Sequence, residues 1–198
     1  MSYGQNYLKE VGQIAQALDL AKIELMVQLL SDLRNNGGRL FFLGVGGSAA
    51  NSSHAVNDFR KICCIESYTP SDNVSEMSAR VNDDGWDTVF EKWLQGSRLK
   101  ETDGVFVLSV GGGNAEKNIS TNLVKALEYA KKTGAKIFGV VGRDGGHTAR
   151  AADACVIIPT VNPETVTPHT EAFQAVILHL IVSHPAMRIN EMKWETVR

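Results

Sequence analysis

Short apolar runs that alternate with helical stretches are the feature that most constrains how this chain can fold. Four runs are apolar almost throughout, which is typical of strands covered on both faces: residues 39–43, 104–109, 136–141 and 154–159. Helical spacing predicts helices between and after them, at residues 49–62, 83–94, 119–132 and 170–182. Strands and helices in alternation predict an α/β fold, with a doubly wound parallel sheet, right-handed crossovers and flanking helices.

The N-terminal region carries a further helical pattern. Apolar residues recur at helical spacing through residues 3–35, and the segment 35–38, Asn-Asn-Gly-Gly, suits a helix C-cap. We expect one long N-terminal helix here, packed on the core or in part on a partner subunit. The chain length suits one domain, with a helical segment at 1–36, an α/β core at 37–184 and a loosely held polar tail at 185–198.

Composition limits the expected partners. The formal net charge of −2 offers no general attraction for nucleic acid or for an anionic membrane. The three cysteines are odd in number and two are adjacent, so they form neither a disulfide framework nor a CxxC metal motif. No apolar run approaches the roughly 20 residues that span a bilayer, and the N-terminus lacks the apolar segment of a signal peptide. We expect a cytoplasmic protein without nucleic-acid or membrane partners.

Glycine-rich segments follow three of the predicted strands, at the strand ends where parallel sheets bind ligands. The first loop (residues 44–48) is Gly-Val-Gly-Gly-Ser, the second loop (109–114) is Ser-Val-Gly-Gly-Gly-Asn, and the third turn (142–147) is Gly-Arg-Asp-Gly-Gly-His. Backbone N–H groups at a helix start, together with the Ser48 hydroxyl, can hold a phosphate. For each segment alone, a tight turn without a ligand is the alternative.

The first loop excludes two common nucleotide-binding motifs. The GxGxxG spacing of dinucleotide-binding proteins fails because Ala49 stands where the third glycine would be. The Gly-Lys-Ser/Thr of a Walker A motif is missing as well. The three segments together therefore favour a phosphate held by backbone and hydroxyl groups, without a lysine.

These segments resemble a known family. Residues 44–50, followed by His54, resemble the GNGGSA…H segment of the phosphoheptose isomerases, which belong to the sugar isomerase (SIS) domain family. Residues 81–86 are similar to the family's GND-x-G stretch, and residues 142–146 to its TGKDGG turn. The order and spacing of these motifs agree along nearly the whole chain.

The resemblance implies an activity, a metal and an assembly. It implies a homotetramer that isomerises sedoheptulose 7-phosphate to D-glycero-D-manno-heptose 7-phosphate, with a zinc ion for each subunit held between subunits. In the family, a His and a Glu one helical turn apart face a Gln and a His eight residues apart. His54 with Asp58, and Glu171 with His179, match that spacing.

The residues by themselves also allow a metal site. His54 and Asp58 share a helix face at i, i+4, and Glu171 and His179 lie eight apart on a predicted helix. Two imidazoles and two carboxylates suit zinc or another divalent metal, provided that the two helix faces meet. Otherwise His54 is a surface residue beside the loop, and His179 is a histidine of the core.

The chain departs from the family pattern at three places. Asp58 stands where the family has Glu, and Glu171 where it has Gln, so that either the site is adapted to a related substrate or its activity is reduced. The family's compact STSGNS loop becomes the second loop followed by an insertion. Backbone N–H groups can still bind a phosphate there. The resemblance implies the hydroxyls of Ser109 and Ser120 for that role, with Asn114 or Asn118 as possible substitutes. Gly111 and Gly112 are the backbone candidates of the same loop.

Isomerase chemistry gives each candidate a role. Asp58 is the expected base and a metal ligand, and His179 is its acid–base partner. A bound metal would polarise the carbonyl and hydroxyl oxygens, while Asn82 and Asp83 would orient hydroxyl groups of the open-chain sugar. The remaining substrate-binding candidates are Gly46, Gly47, Ser48 and Glu171.

Two other functions stay open. A non-catalytic SIS module, either a phosphosugar sensor or an adaptor for the bacterial replication initiator, would fit the altered residues at positions 58, 111 and 171. Such a module, however, has no need of four metal-ligating side chains. A flavodoxin-like or nucleotide-binding domain fits less well, because no lysine stands in the first loop and no acidic ribose anchor ends a second strand.

Overall fold

The computed structural model describes residues 1–192. Helices and strands alternate along most of this length, and two short 3-10 helices lie at Pro70–Asp72 and Pro163–Thr165. The elements, in chain order, are α1 (Tyr3–Ala17), α2 (Leu20–Asn35), β1 (Leu40–Leu43), α3 (Gly47–Lys61), β2 (Ser67–Tyr68), α4 (Val74–Asp84), α5 (Val89–Gly96), β3 (Gly104–Ser109), α6 (Thr121–Thr133), β4 (Lys136–Val141), α7 (Gly146–Ala151), β5 (Ala154–Ile157) and α8 (Val166–Ser183).

The sheet is parallel and doubly wound, which confirms the predicted fold class. Its strand order is β2-β1-β3-β4-β5, and every neighbouring pair is parallel. The chain passes from β1 outward to β2, then crosses to β3 and continues through β4 to β5. The direction of winding therefore reverses between β1 and β3, and such a reversal opens a crevice beyond the strand ends.

Each face of the sheet carries its own apolar core. On one face, Phe42 stacks on Phe106 with ring centroids 5.1 Å apart, and Phe106 on Phe138 at 5.9 Å, beneath α2, α3 and α8. On the other face, alternate residues such as Phe41 and Val105 pack against α5 and α6. Because both faces are covered, the strands are apolar throughout instead of alternating with polar residues.

The predicted long N-terminal helix is instead two helices. Leu18 has an extended backbone, with φ −64° and ψ 138°, and this ends α1. The side chain of Asp19 then accepts a hydrogen bond from the Lys22 amide at 3.1 Å and caps α2. The apolar periodicity continues across the break because both helices contribute to the same core, through residues such as Ile14 and Ile23.

A second boundary also differs from prediction. The expected helix at residues 83–94 is wrong, because α4 ends at Asp84 and α5 begins only at Val89. Gly85, with a φ of 83°, separates the two helices. The strands β3 and β4, by contrast, have the predicted bounds.

The polar tail is held to the body of the protein as far as the described residues reach. Met187 is buried, and the Arg34 guanidinium donates to its carbonyl oxygen at 2.9 Å. The amides of Ile189 and Asn190 donate to the Ile62 carbonyl, each at 3.0 Å. These contacts hold residues 187–190 to the body of the protein, and residues 193–198 of the predicted tail lie outside the described part. No helix within 1–192 is long and apolar enough to cross a membrane.

Candidate functional site

The first and second loops lie side by side at the point where the winding reverses. The first loop leaves β1 and the second leaves β3, and these strands are hydrogen-bonded neighbours. Gly46, with φ 63° and ψ −128°, turns the first loop into α3. Both loops therefore border the crevice in which open parallel sheets bind ligands.

The third turn and the start of α7 hold the second loop in place through hydrogen bonds to its backbone. The Gly112 carbonyl accepts hydrogen bonds from the amide of Thr148 at 2.9 Å and from its hydroxyl at 2.8 Å. The His147 amide donates to the Gly113 carbonyl at 2.7 Å, and burial lowers the pKa of the His147 imidazole. A Cβ atom on Gly112, whose φ is +67°, would lie 2.0 Å from the Gly145 carbonyl oxygen. Backbone packing thus fixes the shape of this loop.

Of the predicted phosphate-binding residues in and after the second loop, some shape the loop and others border space that a ligand could occupy. The Ser109 hydroxyl accepts a hydrogen bond from the Gly112 amide at 3.0 Å, so it helps to shape the loop. Gly111 borders open space, and the half-buried Ser120 is the N-cap of α6 with a left-handed φ of 49°. The insertion closes on itself through two hydrogen bonds between the backbones of Asn114 and Ile119, at 2.8 and 3.0 Å.

The first loop is held by side chains of α8. The buried Gln174 donates from Nε2 to the Ser48 hydroxyl at 3.1 Å and accepts at Oε1 from Asn51 at 3.0 Å. Asn51 also donates to the backbone carbonyl of Glu171 at 2.9 Å. Further along both helices, the rings of His54 and His179 lie against each other, with centroids 5.0 Å apart. Successive residues of α3 therefore contact successive residues of α8, so the two helices run parallel.

Glu171 lies against the first loop. A Cβ atom on Gly47 would be 2.5 Å from Oε2, 2.6 Å from Cδ and 2.7 Å from Oε1 of Glu171. All three atoms are about equally near, so the carboxylate lies across the start of α3. Glycine at position 47 gives it the room to do so.

His54, Asp58 and His179 come together in one chain, about two turns further along the helices. Asp58 Oδ2 is 3.1 Å from His54 Nε2 and 3.6 Å from His179 Nε2, and the two Nε2 atoms are 3.3 Å apart. Asp58 is almost buried, whereas the side chains of His54 and His179 are 55% and 47% exposed. Solvent therefore reaches the imidazoles, while the carboxylate is fixed beneath them.

The geometry of this cluster fits zinc. One ligand atom from each of the three residues lies within 4.8 Å of the others. Ligand atoms at zinc–ligand distances of about 2.0 to 2.2 Å in a tetrahedron are separated by roughly 3.4 Å, close to the observed spacing. Two imidazoles and one carboxylate with solvent access also match the three-ligand pattern of catalytic zinc sites.

Three of the predicted site residues lie apart from this cluster. Glu171 is eight residues before His179, which is about 12 Å along the helix axis, and it is not among the three grouped ligands. Asn82 and Asp83 are exposed at the end of α4, where the Asn82 amide donates to the Asp83 carboxylate at 2.8 Å. At the start of α6, the Thr121 hydroxyl donates to Asp87, which is four residues after Asp83.

Two residues that join the first loop to α8, Gln174 and Asn51, are not among those predicted from the sequence. Gln174 is fully buried between the core residues Phe173 and Ile177. A polar residue on the apolar face of a helix is the signal that could have identified it, since buried amides need partners. Asn51 lies three residues after Ser48, and so on the same side of α3.

A second group of side chains fixes the start of α8 to α1. The Glu10 carboxylate accepts hydrogen bonds from Asn162 at 2.8 Å and from the Thr165 hydroxyl at 2.9 Å. Its Oε2 lies 2.7 Å from Nε2 of the buried His169, whose ring lies against that of Tyr7 with the centroids 4.3 Å apart. The hydrogen bond with His169, followed by those from Asn162 and Thr165, lowers the pKa of Glu10. This group positions the helix that carries Glu171, Gln174 and His179.

Two relatives share sequence with this chain over most of its length. The lincomycin biosynthesis protein LmbN of Streptomyces lincolnensis is 31% identical over 195 residues, which are 93% of this chain and 69% of that protein. A probable phosphoheptose isomerase of Thermoplasma volcanium is 30% identical over 183 residues, which are 90% of this chain and 88% of the relative.

A solved structure and a family model also match this chain. The phosphoheptose isomerase of Neisseria gonorrhoeae has a TM-score of 0.76 at 21% identity, covering 90% of this chain and 94% of that one, which shows a shared fold. Residues 6–142 match the family described as SIS domain, so the match includes β1, both loops and the helix with His54 and Asp58. The chain therefore belongs to the SIS domain family.

Proposed function

We propose that this protein is an aldose–ketose isomerase of phosphosugars, and that it converts sedoheptulose 7-phosphate to D-glycero-D-manno-heptose 7-phosphate. The observation that carries the proposal is the cluster of His54, Asp58 and His179 along α3 and α8, about two helical turns from the first loop. Relatives named phosphoheptose isomerase, similar along most of the chain, support the choice of substrate.

Asp58 and His179 would move the protons. Isomerisation removes a proton from the carbon beside the carbonyl and delivers one to an oxygen. The Asn57 amide donates to Asp58 Oδ1 at 3.0 Å, which leaves Oδ2 facing the two imidazoles. Asp58 would take the carbon-bound proton through the carboxylate oxygen that does not bind the metal, and His179 would exchange a proton with the neighbouring oxygen through Nδ1, since its Nε2 is the proposed metal ligand.

Zinc is the proposed cofactor, one ion for each subunit, held by His54, Asp58 and His179. When bound, it would polarise the reacting oxygens of the sugar and stabilise their negative charge. The shorter side chain of Asp58 is compatible with this role, because a single chain already brings the three ligand atoms to spacings of 3.1 to 3.6 Å.

The phosphate is proposed to lie in the crevice between the first and second loops. Gly111 borders open space, and backbone N–H groups near the start of α6 can donate to an anion. The sugar chain would then extend toward the histidine cluster along α3 and α8. Asn82 and Asp83 keep their proposed role as contacts for sugar hydroxyls.

The proposal includes a homotetramer in the cytoplasm, acting without nucleic acid or membrane. Large apolar side chains are exposed on α1, among them Tyr3 and Leu8, and a subunit interface would cover them. A molar mass of four chains in solution, measured by light scattering, is the expected result.

Turnover by purified protein tests the proposed function. With zinc and sedoheptulose 7-phosphate, wild-type protein is expected to form the aldose, and Asp58→Asn and His179→Gln to lose at least about 100-fold in kcat/KM. His54→Ala should lower the zinc content as well. His184→Ala, a histidine on the same helix end that faces Glu24, is the matched control and should keep the activity. Binding of the sugar phosphate without any turnover would instead support a non-catalytic phosphosugar-binding role.

A further inference from the structure

Asn57 is an exposed residue in the interior of α3, and its side chain contacts the buried Asp58. Its Nδ2 donates a hydrogen bond to Asp58 Oδ1 at 3.0 Å. Asparagine favours caps and turns, and it suits the interior of a helix less well than alanine does. The contact with the carboxylate is therefore the interaction in which asparagine differs favourably from alanine at this position.

The two carboxylate oxygens of Asp58 have different surroundings. Oδ2 lies 3.1 Å from His54 Nε2 and 3.6 Å from His179 Nε2. Oδ1 accepts the hydrogen bond from Asn57, and within residues 1–192 no other side chain or amide donates to it. The last torsion of an aspartate side chain has broad, roughly two-fold preferences, so it does not by itself select one oxygen. The hydrogen bond from Asn57 makes that selection.

We propose that Asn57 is a positioning residue for the isomerase reaction, which keeps Asp58 Oδ2 toward the two imidazoles and Oδ1 turned away from the metal. This inference rests on the proposed function, since it concerns the same carboxylate. Both oxygens of a carboxylate can bind one cation. An oxygen held by a cation is a weaker base, so the arrangement that Asn57 favours leaves Oδ1 able to take the carbon-bound proton.

The hydrogen bond still leaves Oδ1 free to react. An ionised carboxylate offers about four lone-pair sites on its two oxygens, and Asn57 occupies one of them. Neighbouring residues of a helix point in different directions, so Asn57 lies to one side of the cluster and acts through Asp58 alone. Its loss would let the carboxylate turn, and a reacting atom displaced by about an ångström can lower the rate up to about 100-fold.

Bound Co²⁺ is the probe for the test, because its visible absorption weakens as its coordination number rises. Asn57→Ala loaded with Co²⁺ should absorb less strongly per bound ion than wild-type protein, since both oxygens of Asp58 can then bind. With zinc and sedoheptulose 7-phosphate, its kcat should fall about tenfold while KM stays unchanged. Its Tm should not fall, because alanine is the better helix former.

Gln28→Ala is the matched control, because it removes an exposed amide side chain from another helix, α2. It should leave the Co²⁺ absorption and kcat unchanged. A Co²⁺ spectrum of Asn57→Ala identical to that of wild-type protein would overturn the role of Asn57. A lower Tm with parallel losses of bound metal and kcat would overturn it as well, since that result marks a purely structural role. If wild-type protein binds Co²⁺ and zinc but forms no aldose, the proposed function is wrong, and the Co²⁺ comparison still decides how Asn57 affects Asp58.

Discussion

The first and second loops occupy equivalent places on neighbouring strands, yet they are held in different ways. Gln174 of α8 holds the first loop through its hydrogen bond to Ser48, and the Glu171 side chain lies beside Gly47. The second loop is held by the backbone of the third turn, which packs against Gly112. Similar runs of glycine therefore serve two purposes: room for a neighbouring side chain in one loop, and close approach of two backbones in the other.

The largest expected effect comes from breaking the backbone contact of the second loop. Gly112→Ala should destabilise the protein by about 3 to 5 kcal/mol, because a left-handed residue is strained and the hydrogen bonds to its carbonyl would be displaced. Gly111→Ala is the matched control: its Cβ would enter open space, and its free energy of unfolding should change by less than about 1 kcal/mol. Urea unfolding measures both. Equal losses in the two variants would mean that the third turn does not fix this loop.

Removing the side chain that holds the first loop should have a smaller effect. Gln174→Leu leaves the Ser48 hydroxyl and the Asn51 amide without this partner and should cost about 1 to 3 kcal/mol in the free energy of unfolding. A double-mutant cycle with Ser48→Ala isolates the contact between them. The effects should be less than additive, and strict additivity would show that the Ser48–Gln174 hydrogen bond contributes nothing.

The smallest expected effect is that of acid. Low pH should weaken the contacts of Glu10 that fix α8, the helix that holds the first loop, before it affects the backbone contacts of the second loop. Hydrogen bonds lower the pKa of Glu10, so the contribution of its carboxylate is complete at neutral pH. That contribution is lost as the pH falls below the ordinary carboxyl range and through the lowered pKa. Amides of α1 should then exchange hydrogen faster than those of β3, after correction for intrinsic rates. Glu10→Gln should remove the pH dependence, and unchanged dependence in that variant would exclude Glu10 as its source.

The strands could be predicted from the sequence because burial on both faces requires an apolar residue at nearly every position of a strand. Residues 104–109 and 136–141 are apolar at nearly every position and became β3 and β4 with the predicted bounds. Strand β2 has two residues at the sheet edge, too few for any pattern. The break between α1 and α2 depends on the cap at Asp19, and the apolar periodicity that spans it conceals the break.

The candidate site could be predicted only in part, for a related reason. The spacing of His54 and Asp58 is local to one helix, so the sequence predicts that they share a face. His179 joins them because the faces of α3 and α8 meet in the fold. The position of Glu171 beside Gly47 depends on α3 and α8 being parallel and in register, which no single segment encodes. Gln174 was missed for the same reason, since its partners lie more than a hundred residues earlier in the chain.

The parallel arrangement of α3 and α8 has an electrostatic consequence for the metal site. Asp58 lies in the last turn of α3, and His179 lies one turn before the end of α8, so the C-terminal ends of both helices are near the cluster. The aligned peptide dipoles of each helix leave about half a negative charge at that end. Two such ends would add to the attraction of the carboxylate for the proposed zinc ion. This contribution would come from the backbone, and it would be the same whether position 58 carries Asp or Glu.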